Sequence, residues 1–271
     1  MIRRTGYHVA MGLISFLWVA PILWVVVISF RSFDDVAANG LGSLPHSFTF
    51  STYKSAWEDA DEFRALINSL LVTIPAVLLS LGLASMAAYG LARYSIPFRR
   101  TILLLMLMGN LLPPQILLIP ISRFVELIGY YDTLIALIAV HVGFGLGFYT
   151  FVLHGFMRSL PAELFEAAVL DGAGPARTFW SVVLPLCRPA LAALAALATT
   201  WIFNDLIWAM TVLRTESKFP ITAALLNLQG GFSSSWNVIA AGSLVAAVPT
   251  ALVFFLFQKQ FVSGLLVGSN K

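Results

Sequence analysis

Six apolar runs constrain this chain more than any other feature of its sequence. They cover about residues 9–30, 65–91, 101–121, 133–157, 189–213 and 238–257. A helix rises 1.5 Å per residue, so about twenty apolar residues cross a ~30 Å hydrocarbon core. Inside that core the backbone has no water to bond, which leaves helices or closed barrels as the only spanning structures. Runs of this length suit helices. The chain is 59% hydrophobic and only 11% charged, where soluble domains carry about a quarter charged residues. The expected fold is therefore all-α, a polytopic membrane protein with six transmembrane helices.

The flanking charges orient these spans. With the amino terminus inside, Lys and Arg at 3, 4, 93, 99, 100, 158, 177, 188, 259 and 271 are internal, ten in all, against six outside. The positive-inside rule then predicts cytoplasmic termini, cytoplasmic loops at 92–100 and 158–188, and external segments at 31–64 and 214–237. Arg3 and Arg4 resemble the start of a signal peptide, but the apolar run is too long and no clean cleavage site follows. The net charge of +3 reflects few acids rather than a basic patch, which argues against nucleic acid as a partner. Cys187 is the one cysteine, so there is no intrachain disulfide, and it reads as a small hydrophobe.

Several features inside the spans restrict packing. Ser80, Ala84 and Ala88 form a small-residue stripe, and Gly143 and Gly147 a GxxxG face. Pro113, Pro114 and Pro120, with Gln115 beside them, require the third span to bend or break. Broken backbone at membrane depth is tolerated only against protein or a water-filled cavity, so this is either a solute pathway or a packing kink. In the fifth span Trp201, Asn204, Asp205 and Trp208 lie at i, i+3, i+4 and i+7, one helical face. A charge there is costly and makes Asp205 a pathway candidate. The alternative is structural, with Trp208 in an aromatic belt and Asp205 capping a helix end or a contact. His141 and His154 are too far apart for two ligands on one turn, and read as satisfied or interfacial rather than metal-binding.

Between the fourth and fifth spans, residues 158–189 read as two helices joined by a sharp bend. Ser159 or Leu160 is the expected cap, with Pro161 and Glu163 in the first turn. Leu160, Leu164, Ala167 and Ala168 share one face, and Gly172 stands where a left-handed residue ends a helix. On helix pattern alone this is a connecting loop. The fixed offsets say more: Glu166-Ala167-Ala168, three residues, Gly172, nine residues, then Val182-Val183-Leu184-Pro185. This resembles the EAA loop of ABC-transporter permeases, with Val182 in the usual place of Ile. The resemblance implies a coupling helix that docks on a separate ATPase, and carries Glu163, Glu166, Ala167, Ala168, Asp171, Gly172, Ala173, Leu184 and Pro185 as its residues.

No Gly-x4-Gly-Lys-Ser/Thr phosphate loop occurs, nor a Gly-Lys pair, and no HExxH, paired-cysteine or G-x-S-x-G motif. The chain is not expected to be an enzyme or to hold a cofactor. The Trp-x-x-Asn-Asp-x-x-Trp stretch at 201–208, with Phe203 where Trp is common, is similar to the fifth helix of carbohydrate-type permeases. Together with 111–133 and the tail at 261–271, it makes the chain similar to the maltose-type second permease subunit. That resemblance implies a first helix and external segment at 1–64, a permease core at 65–260 and a cytoplasmic tail at 261–271. It implies a heterodimer with a second permease, two ATPase subunits holding ATP and Mg, an extracytoplasmic solute-binding protein, a sugar or sugar derivative as substrate, and a bacterial or archaeal inner membrane. Alternatives are an ABC importer of another solute (peptide, amino acid or glycerol-phosphate type), a stand-alone secondary transporter, and a membrane enzyme.

Overall fold

The computed structural model describes residues 2–59, 61–227 and 235–267, with side chains from 7 to 58, 61 to 226 and 235 to 258. In chain order the helices are α1 (Ile2–Ser29), α2 (Phe33–Asn39), α3 (Ser51–Asp59), α4 (Glu62–Arg93), α5 (Arg99–Leu111), α6 (Pro114–Leu127), α7 (Leu134–Arg158), α8 (Ala162–Leu170) and α9 (Pro175–Thr178). A π-helical turn (Phe179–Val183) leads into α10 (Leu184–Leu186), α11 (Arg188–Phe203) and α12 (Ile207–Val212). A short 3₁₀ turn, Glu216–Lys218, precedes α13 (Ile221–Asn227) and α14 (Trp236–Val267). No strand occurs among the described residues.

Among the described residues, four helical stretches are long and apolar enough to cross a membrane alone: Tyr7–Ser29, Glu62–Arg93, Leu134–Arg158 and Trp236–Gln258. Two bent pairs could add a span each, Arg99–Leu111 with Pro114–Leu127 at 96° and Pro175–Leu186 with Arg188–Phe203 at 73°, giving up to six. The first bend follows from its sequence. A residue before proline is pushed out of the helical region, and both Leu112 and Pro113 stand before one. Leu112 is extended with ψ 133°, Pro113 has ψ 124°, and α6 starts on Pro114, where a missing N–H costs nothing.

The fifth apolar run departs from the single helix expected over 189–213. Helix α11 stops at Phe203, and α12 begins at Ile207. No proline or glycine lies between them. The break is made by Asp205, whose carboxylate accepts from the backbone N–H groups of Trp208 (3.3 Å) and Ala209 (3.1 Å) and so starts a new helix.

The chain divides into two compact units, residues 1–66 with 223–248, and 67–222 with 249 onwards. In the first, Arg31 is fully buried and acts as a hub. Its Nε pairs with Asp35 at 2.9 Å, and its other nitrogens donate to the carbonyls of Gly40 and Ser43 and to the Ser43 hydroxyl. Its own carbonyl accepts from Asn237. The guanidinium, helped by Asn39 and the His46 N–H, overcomes the burial of Asp35 and holds its carboxyl well below the usual range.

In the second unit α5 lies hard against α7. A methyl group added to Gly147 would stand 2.1 Å from the Met106 carbonyl oxygen, so only glycine permits this approach. Gly143, the other member of the GxxxG face, has open space instead. Ser80, Ala84 and Ala88 are completely buried. Asp132, at φ 60°, receives the N–H groups of Arg214 and Thr215, the Thr215 hydroxyl and the Lys218 ammonium, the last at 2.8 Å. Asn68 donates to the carbonyls of Ser217 and Phe219, and Ser69 accepts from the Ile221 N–H. The 213–221 segment is thereby tied down at both ends.

Candidate functional site

The 158–189 region is a hairpin, as the glycine and proline spacing requires, but its entry differs from expectation. Ser159 closes α7, its hydroxyl donating to the Phe156 carbonyl at 2.7 Å, and Pro161 rather than Ser159 or Leu160 is the residue ahead of α8. Leu160 precedes a proline, which disfavours the helical conformation there. The buried stripe also differs. Phe165 and Ala168 are buried, whereas Leu164 and Ala167 face outward with Glu163, Glu166 and Asp171. The reason lies 72 residues upstream, where the Arg93 guanidinium sits 4.5 Å above the Phe165 ring.

The bend itself has full capping geometry. The Ala173 N–H donates to the Ala168 carbonyl at 2.9 Å, and the Gly172 N–H to that of Val169 at 3.0 Å. These are the paired bonds that close a helix around a left-handed residue, and Gly172 has φ +71°. Pro175 then opens α9 after Gly174. Farther on, Pro185 has no N–H for the carbonyl of Ser181, and its ring crowds that oxygen. The helix widens into the π turn at this place, with the Leu184 N–H reaching back to Phe179. Leu184 and Pro185 are half-buried, while Val183 and Cys187 are fully buried. Phe179 stacks on Tyr89 at 5.3 Å, so α4 holds both arms of the hairpin through Tyr89 and Arg93. The tip remains apolar and bare: Val169, Leu170 and Trp180 are 64%, 88% and 61% exposed.

The second candidate region lies at the α11–α12 break. A cavity of about 260 Å³ is lined by Asn110, Pro114, His141, Trp201, Asp205 and Trp208, among others. Four of the residues nominated from sequence, Pro114, Trp201, Asp205 and Trp208, therefore meet at one place. Trp201, Asp205 and Trp208 do so across a helix break rather than along the single unbroken face expected. Pro113, Gln115 and Asn204 are outside the lining; all three are exposed, and Asn204 donates to the Thr200 carbonyl at the end of α11. Aromatic pairs flank the cavity, Phe144 with Trp208 at 4.7 Å and Phe148 with Trp201 at 5.7 Å. A larger apolar cavity, about 600 Å³, sits in the crook of α5 and α6 against α7.

His141 and His154 are both buried, and neither Nε2 has a hydrogen-bond partner. His141 Nε2 instead lies 3.6 Å from Asp205 Oδ2. Among the described residues no cluster of His, Cys, Asp or Glu could hold a metal ion.

Comparison with known proteins assigns this architecture. Residues 80–266 match the family described as the binding-protein-dependent transport system inner membrane component. The chain belongs to this family. It is a multi-pass membrane permease component of an ABC importer, not an enzyme. It is 32% identical over 264 residues to the diacetylchitobiose uptake system permease protein NgcG of Streptomyces coelicolor, covering 97% of this chain and 87% of that one. It is 30% identical over 271 residues to the trehalose transport system permease protein SugB of Mycobacterium tuberculosis, covering 99% and 98%. Its fold matches a permease chain in the crystal structure of a bacterial importer of the acidic polysaccharide alginate, with TM-score 0.80, 24% identity and coverage of 95% and 96%.

Proposed function

We propose that this permease carries a sugar or sugar derivative across a bacterial or archaeal inner membrane and is driven through the 158–189 hairpin by separate ATPase subunits. The observation that carries the coupling role is the hairpin tip. Val169 and Leu170 lie bare on the same short helix as the exposed carboxylates Glu163 and Glu166, with Asp171 next in the chain and Trp180 exposed on the second arm, a surface suited to a cleft with an apolar floor and cationic rim. Relatives that take up diacetylchitobiose and trehalose support the substrate class. So does the chemistry of the cavity, since indole rings pack on the apolar faces of sugars while Asp205 accepts hydroxyl protons.

In this reading the complex holds a second permease, two ATPases binding ATP and Mg, and an extracytoplasmic binding protein. Residues 65–260 form the core, with both termini cytoplasmic. Helix α14 continues to Val267, into the proposed tail at 261–271, of which 268–271 lie outside the described residues. Closure of the ATPases would move the hairpin and reorient the spans about the cavity.

Purified through a tag on this chain, the complex should bring an ATPase with it. In vesicles it should accumulate labelled trehalose or diacetylchitobiose only with ATP and the binding protein. Accumulation on an ion gradient alone would make it a secondary transporter and refute the proposal.

A further inference from the structure

We propose that His141 is a positioning residue that holds the Asp205 carboxylate in place for solute passage, an inference that rests on the pathway reading above. Three residues of α7 face three residues around the α11–α12 break, one against one. Phe144 meets Trp208, Phe148 meets Trp201, and His141 meets Asp205. Positions 141, 144 and 148 lie on one helical face, so a single edge of α7 addresses the whole wall. The two aromatic pairs are satisfied by packing. The third is polar, and its imidazole is buried with Nε2 unpartnered.

Asp205 is held on its other sides already. Its carboxylate caps α12 through Trp208 and Ala209, and its carbonyl accepts the Thr222 hydroxyl at 2.6 Å. The carboxylate has acceptor sites to spare. At 3.6 Å the His141 contact is longer than a hydrogen bond, and a shift of well under 1 Å would make it one. A buried donor with a carboxylate as its facing group gains by that closure, because nothing else compensates its lost water. The tautomer required carries its proton on Nε2. His141 then fixes which edge of Asp205 remains turned to the cavity that both residues line.

The test uses the assembled complex in vesicles and reads sugar transported per ATP hydrolysed, a ratio that misfolding alone does not move. His141→Leu should lower that ratio on the order of tenfold, the worth of one hydrogen bond to a charged group. His141→Gln, whose amide N–H reaches nearly as far, should restore it to within about threefold. His141→Leu added to Asp205→Asn should cause no further loss, because the histidine acts through the carboxylate. If His141→Leu does not assemble, His141→Asn, with its shorter amide, takes its place with the same expectations. A ratio equal to wild type in the Leu or Asn variant, no rescue by Gln, or losses that multiply in the double variant would each overturn the proposal. A wild-type complex that accumulates neither sugar would instead overturn the functional reading.

Discussion

Replacing Gly172 with valine isolates the bend of the hairpin from everything around it. A Cβ at this position meets nothing within 4 Å, so the substitution carries no packing cost. What it carries is conformational. At φ +71° a β-branched residue is strained by about 1–3 kcal/mol. Relaxing that strain breaks the two capping bonds, from Ala173 to Ala168 and from Gly172 to Val169, each worth about 1 kcal/mol net. Either way the native bend is disfavoured by roughly 1–3 kcal/mol, which populates other hairpin geometries about five- to 150-fold more. The spans do not depend on this bend, so the protein should still reach the membrane. Gly172→Val should therefore give near-normal membrane levels, loss of the ATPase on purification, and loss of ATP-driven uptake. Gly172→Asn should retain most function, since asparagine tolerates the left-handed region. Valine at 172 with normal transport and a bound ATPase would refute the argument, and so would asparagine behaving as badly as valine.

Other expectations follow from single contacts. Asp205→Asn keeps a capable helix cap but removes the charge, so it should fold normally and transport poorly; Asp205→Ala should also lose about 1 kcal/mol of stability, visible in thermal unfolding. Arg31→Met leaves Asp35 buried and unpaired and should cost about 3–5 kcal/mol, whereas Arg31→Met with Asp35→Leu should cost distinctly less, by denaturation in detergent. Burial raises the affinity of Asp132 for protons, but Lys218, Thr215 and the Arg214 N–H outweigh it, and its carboxyl lies well below the ordinary range. Its stabilising contribution is thus fully present above about pH 4 and is lost as pH falls through its lowered folded value; Asp132→Asn should lower the melting temperature distinctly more at pH 7 than at pH 2. Single cysteines at Ser95 and Glu216, both exposed, should label from opposite sides of the membrane in a Cys187→Ser background; labelling from one side would remove the six-span arrangement.

What could be read from the sequence was what is local. Apolar length marks the four unbroken helices, and the Pro113-Pro114 pair marks the sharpest bend, because residues before proline leave the helix wherever they occur. Gly172 announced the hairpin bend for the same kind of reason. The break at 204–206 was only half visible: no glycine or proline signals it, although Asp205 capping a helix end was one of the two readings its sequence allowed. It arises when Asp205 turns its carboxylate onto the next helix while Thr222, seventeen residues on, takes its carbonyl. The face of α8 was misjudged because Arg93 selects Phe165 from a distant helix. His141 lacked any signal of its own, as one histidine in an apolar run says nothing until the facing residue is known. The proline at 185 was visible, yet the π turn it produces was not, because a helix can answer a missing N–H by kinking, ending or widening.

The central claim, that the hairpin tip docks on an ATPase, is tested most directly by proximity. With Cys187→Ser removing the native thiol, a cysteine at the exposed Ala167 can carry a short photo-crosslinker. In native membranes it should form one major adduct, with a polypeptide that binds ATP, and the Gly172→Val variant should lose that adduct. A crosslink to an extracytoplasmic protein, or no protein adduct from Ala167 while uptake proceeds normally, would contradict the account.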